Sequence, residues 1–148
     1  MIPHSQGNLY ANQLYDYVSR TSVIPADHVA IYGIATPSSK VNGLINPRAR
    51  HPNDQFHYIT ADTDAVINSL RLFAATQPLT DQPLPANTHM EYCKDYVCHD
   101  LIEAYLADNM VGNEIRKQIN LFFLIISYFL KRGLKKWLKA LMFTLRPY

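Results

Sequence analysis

Apolar residues return at two rhythms along this chain. Between residues 9 and 19, Ala11, Leu14, Tyr15 and Val18 stand at i, i+3, i+4 and i+7, one face of a helix. From 28 to 35 the run HVAIYGIA is almost continuously apolar, the pattern of a strand buried on both faces. FHYIT, at 56–60, predicts a second strand. Behind it Val66, Ile67, Leu70, Phe73 and Ala74 predict a helix over 64–75. A weak strand is expected at 87–92, and Leu101, Ile102, Tyr105 and Leu106 predict a helix over 99–109. Between these elements, 36–54 turns to Pro, Ser, Asn, Gly and Arg, and Pro78, Pro83 and Pro85 punctuate a linker. Helices alternating with short strands predict an α/β fold, a short parallel sheet with flanking helices.

The last stretch is different. Residues 119–130 (INLFFLIISYFL) are almost purely apolar, but a bilayer span needs roughly 20 such residues. Beyond them Leu134, Trp137, Leu138, Leu141 and Met142 keep helical spacing opposite Lys135, Lys136 and Lys139. A basic amphipathic helix with a tryptophan on its apolar face suits a membrane surface; the same face also suits packing on a sheet. The chain therefore divides into 1–112 and a hydrophobic, then basic, helical tail at 113–148.

Charge sharpens that division. The net charge is +2, yet Lys131, Arg132, Lys135, Lys136, Lys139 and Arg146 lie in a stretch with no acid, leaving the rest near −4. Such a body does not suit nucleic acid as a partner. Apolar residues make up 48% and charged residues 18%, values of a globular chain. Cys93 and Cys98 are too few for a disulfide framework and have no second metal-ligand pair; they form one bridge in an exported protein or stay thiols.

Candidate chemistry begins at Pro3-His4-Ser5-Gln6-Gly7-Asn8, directly ahead of the first helix. A serine with glycine two places on, at a helix start, resembles the nucleophile elbow G-x-S-x-G of the α/β-hydrolases, and the wording HSQGN resembles bacterial lipases and esterases. Pro3 departs from the pattern, standing where glycine is usual. Read from the residues alone, Ser5 and Asn8 serve equally well as caps of the helix behind them.

The resemblance implies a triad in chain order serine, acid, histidine. Asp64, in the run TADTDAVI after the second strand, matches the family's acid loop better than Asp62; either also suits a helix cap. His99, in CHDLIEAYL ahead of a helix, matches the family's last catalytic loop better than His89, and a solvated helix-start histidine is its plain alternative. His4 adjoins the serine and is expected to point elsewhere; His28 and His57 fall in strands and His51 in the polar loop. The resemblance thus implies Ser5 as nucleophile, His99 as base, Asp64 as orienting acid and Gln6 N–H as an oxyanion donor. Gly7 is expected to leave room for close helix packing.

Further expectations come with it. The elbow ordinarily follows about five strands, so the chain is read as the C-terminal half of a hydrolase domain, impaired or inactive alone. Its substrate is a small ester or a lipid, with no cofactor and no metal. The uncovered sheet edge implies self-association or a missing N-terminal half as partner. The competing expectation is a non-catalytic, membrane-associated fragment acting through residues 119–148.

Overall fold

A computed structural model of the chain describes residues 1–21, 29–43, 57–76 and 81–144. The fold is mixed α/β. In chain order it contains α1 (Gly7–Thr21), β1 (Gly33–Ile34), β2 (Tyr58–Ile59), α2 (Ala65–Thr76), a π-helical segment (Leu101–Leu106) and α3 (Asn109–Thr144). β1 and β2 pair in parallel, Gly33 opposite Tyr58 and Ile34 opposite Ile59.

Single parallel bridges extend this small sheet on both sides, His4 to Ile34 and Ala61 to Thr88. On the first side Tyr32 N donates to Met1 O, Ile34 N to Pro3 O and Ser5 N to Ile34 O. A bridge at Ile2 would need an N–H on residue 3, and Pro3 has none, so only His4 completes one. On the other side Asn87 N donates to Thr60 O and Asp62 N to Thr88 O. The strand expected at 87–92 is therefore one bridge at Thr88. The register sets His4, Ile34 and Ile59 level, so the chain leaves all three segments at one edge.

Residues 30–36 are buried throughout, as the apolar run predicts, around a core of Tyr32, Ile34, Ile59, Ala61, Ile67, Tyr105, Val111 and Ile115. The first helix keeps its predicted face in part, with Ala11 buried and Tyr15 and Val18 half-buried. Leu14 is 49% exposed, while Asn8 and Asn12 are buried. Asn8 Nδ2 donates to Ser5 O and Ile34 O; Asn12 Nδ2 donates to Ser38 Oγ and Lys40 O, and its Oδ1 accepts from Asn42 N. Hydrogen bonds offset most of the cost of burying these amides, Asn8 Oδ1 alone finding no partner among the described residues, so the helix turns its amide face inward.

α2 buries Ile67 and Ala74 but leaves Leu70 and Phe73 exposed. It leans instead on the segment after it, where Arg71 Nε and Nη2 both donate to Leu84 O. The helix expected over 99–109 is the shorter Leu101–Leu106, capped by Asp100, whose carboxylate accepts from Ile102 N and Glu103 N. α3 then starts anew: Asp108 Oδ1 accepts from Val111 N, and Oδ2 ties in Glu91 N and Tyr92 N. This helix runs unbroken across 112–113, where the composition changes. Among the described residues no helix is long and apolar enough to cross a membrane. His28, His51 and most of the 36–54 loop lie outside the described residues.

Candidate active site

Ser5 sits where the first parallel segment turns into α1. Its φ is +52°, in the left-handed region that side chains other than glycine's rarely enter. The turn is held by Gly7 N donating to His4 O and Asn8 N to Ser5 O. Gly7 is not what makes room: a Cβ there would lie 3.5 Å from Pro3 Cβ, an ordinary contact. The crowded glycine is Gly33, where a Cβ would meet Asn8 Oδ1 at 2.5 Å. Close approach of β1 to α1 is thus what seats the turn, through Asn8.

Asp64 ends the β2 segment and is fully buried. Its Oδ1 accepts from Ile67 N at 3.0 Å, so it caps α2. Its Oδ2 accepts from the Tyr105 hydroxyl at 2.8 Å. His99 Nδ1 lies 3.0 and 2.9 Å from the two oxygens. Cap and orienting acid are therefore one residue, the two readings at once.

His99 bridges the other two. Its Nε2 stands 2.9 Å from Ser5 Oγ. A buried carboxylate only accepts, so the neutral imidazole carries its proton on Nδ1 and leaves Nε2 as acceptor for the Ser5 hydroxyl. That is the relation a general base needs to a nucleophilic serine.

The loop before His99 is tied at several points. Cys93 and Cys98 are joined by a disulfide, their Cα atoms 5.4 Å apart, and Cys98 has φ +54°. Asp95 Oδ2 accepts from His99 N at 2.7 Å and Asp100 N at 3.2 Å, and Ala65 N donates to Val97 O. The loop is thus fastened to α2 beside Asp64.

The remaining candidates separate cleanly. Asp62 and His89 pair with each other at 2.7 Å, both side chains more than half exposed, an ordinary surface pair. Gln6 N–H, at the open start of α1, has no acceptor among the described residues, and the helix's positive end points the same way. Among the described residues no group of three or more His, Cys, Asp or Glu is placed to hold a metal ion.

Two neighbours escape the sequence reading. His4 does not point elsewhere: its Nε2 donates to His99 O at 2.7 Å, and its ring lies 5.0 Å from the His99 ring. Burial holds the His4 imidazole below the usual histidine range, against the opposing pull of that hydrogen bond. Tyr105 reaches Asp64 from 41 residues away; its spacing from His99 was visible, its contact was not.

Compared with protein-family models, curated proteins and solved structures, the chain matches none of them.

Proposed function

We propose that the chain is a serine ester hydrolase of the α/β-hydrolase kind, with its parallel segments carrying the site at their common edge. The observation that carries the reading is the continuous relay from Ser5 Oγ through His99 to the buried Asp64 carboxylate, each step 2.9–3.0 Å.

In this mechanism Ser5 Oγ attacks the carbonyl carbon of a small ester or a lipid ester while His99 Nε2 takes the hydroxyl proton. Asp64 holds the ring in the Nδ1–H tautomer and stabilises the imidazolium. The carbonyl oxygen, now an oxyanion, is met by Gln6 N–H and the start of α1. Collapse breaks the bond to the leaving alkoxide, which receives the proton from His99, and leaves an acyl ester on Ser5. Water then attacks that ester, giving its proton to His99. Collapse releases the acid, and the proton returns to Ser5 Oγ. No cofactor enters these steps.

The test is a fluorophosphonate probe on the purified chain, with the labelled peptide located by mass spectrometry. Labelling at Ser5, lost in Ser5→Ala and in His99→Ala, supports the reading. A chain that stays unlabelled while folded overturns it for this polypeptide. A paired run with a second segment supplying further sheet strands tests the need for an N-terminal half, and size-exclusion chromatography tests self-association along the residue 1–4 edge.

A second reading is favoured by α3. Among the described residues Gln118 is the last buried one in this helix, and Phe123 and Leu124 are 65% and 69% exposed ahead of the cationic run. That arrangement supports docking of residues 119–148 on an anionic lipid surface, with the fold as a non-catalytic body. Flotation with phosphatidylserine vesicles, with and without 119–148, decides it; a full chain left in the soluble fraction sinks the idea.

A further inference from the structure

The Tyr105 hydroxyl is buried behind the site, and its hydrogen bonds have a definite direction. Its oxygen accepts from Ala61 N at 3.0 Å and lies 2.8 Å from Asp64 Oδ2. A phenol has one proton. With Ala61 N–H supplying the bond on one side, that proton faces Asp64. The ring itself is fully buried in the core and cannot rotate the hydroxyl toward water.

We propose that Tyr105 is the positioning residue of the relay, orienting the Asp64 carboxylate toward His99 by donating to Oδ2 while Ile67 N–H donates to Oδ1. The inference rests on the serine-hydrolase reading for its catalytic meaning, but its structural content stands without it.

Each Asp64 oxygen has one fixed donor, and the two donors arrive from different elements. Ile67 belongs to α2, and Tyr105 to the π-helical segment that follows His99 directly. Tyr105 N donates to Asp100 O, an i to i+5 bond, so base and phenol are borne by one short wound stretch. Removing the Tyr105 donor leaves Oδ2 held by His99 alone, while Ile67 N–H still fixes Oδ1, so the carboxylate's aim at Nδ1 loosens on one side. Burial, and then the Asp64 charge, push the Tyr105 hydroxyl far above the usual phenol range, so it stays a donor at every working pH.

Tyr105 is itself fully buried and its hydroxyl is bonded to Asp64, so its effect on the chemistry passes through that carboxylate. The other charged or titratable groups around this pair are His4, whose ring is 6.0 Å from Tyr105, Arg71 from α2, and Asp100 from the cap. They are unchanged by the variants below.

The experiment follows the His99 imidazole by nitrogen-edited NMR through a pH titration, in the full chain. Tyr105→Phe removes one proton from the carboxylate's surroundings, leaves its charge less dispersed and raises the His99 midpoint. Tyr105→3-fluorotyrosine, with a more acidic hydroxyl and nearly the same shape, lowers it. A donor to a buried charge is worth enough that kcat should fall about tenfold or more in Tyr105→Phe with KM unchanged. Opposite shifts in the two variants support the role. If the His99 midpoint stays within error in both variants while circular dichroism shows them folded, the proposal is overturned. A wild type without esterase activity but with the opposite shifts refutes the hydrolase reading and leaves the positioning role standing.

Discussion

Asp64→Asn is the sharpest perturbation of the relay, because it changes one atom's hydrogen-bonding sense and little else. The Ile67 N–H at 3.0 Å demands an acceptor at the Oδ1 position, so the amide oxygen takes that place. The NH2 group then occupies the Oδ2 position, 2.9 Å from His99 Nδ1 and 2.8 Å from the Tyr105 hydroxyl, so it opposes two donors at once and the Tyr105 proton loses its acceptor. A donor there favours the imidazole tautomer with Nδ1 bare and the proton on Nε2. That proton points at Ser5 Oγ, 2.9 Å away, and the base becomes a donor. An orienting aspartate lost in this way costs about 10,000-fold in kcat, about 5 kcal/mol of transition-state stabilisation at 1.36 kcal/mol per tenfold. The assay is the second-order rate of fluorophosphonate labelling at Ser5, beside wild type and Ser5→Ala, with circular dichroism reporting the fold. A folded Asp64→Asn chain labelled within tenfold of wild type would refute the tautomer argument.

Other expectations follow from neighbouring features. Removing the disulfide with Cys93→Ala and Cys98→Ala opens a loop with a sequence separation of 5, which the chain-entropy relation values at about 2 kcal/mol, read as a lower urea midpoint. Gly33→Ala drives a Cβ against Asn8 Oδ1 and should cost about 1–3 kcal/mol, with Ser5 labelling slowed because Asn8 also holds Ser5 O. His4 has a folded-state pKa lowered mainly by burial, so the unfolded chain binds its proton first as pH falls. Its contribution to stability is full above the ordinary value of about 6.5 and is lost as pH drops from there toward the folded value. His4→Gln should flatten that part of the pH–stability curve measured by urea titration; an unchanged slope means His4 is not its source.

What the sequence made legible were features with local causes. The apolar run at 28–35 reads as buried strand; residues 30–36 are buried as that predicts, though the paired strand within it is only Gly33–Ile34. Ser5, Asp64 and His99 stood out through their resemblance to the hydrolase motifs in chain order, and these three side chains meet. Hydropathy misled on α1, where a helix face of asparagines is buried by hydrogen bonding while Leu14 stays outside. It misled again at Leu70 and Phe73, since α2 packs partly through Arg71. Gly7 was expected to be the crowded glycine, but Gly33, which had no expected role, is the crowded one, because crowding depends on which backbone crosses which, a non-local fact. The contacts of His4 and Tyr105 could not be found from spacing, since their partners come from a register and a packing that no short window contains.

The left-handed backbone at Ser5 carries one more consequence. Such a conformation costs a residue with a Cβ about 1–2 kcal/mol, a burden that glycine escapes. A Ser5→Gly chain should therefore melt later than a Ser5→Ala chain, although both lack the hydroxyl. Heat-driven selection alone would favour losing this serine. Its persistence in a lineage grown hot would mark the hydroxyl as being in use.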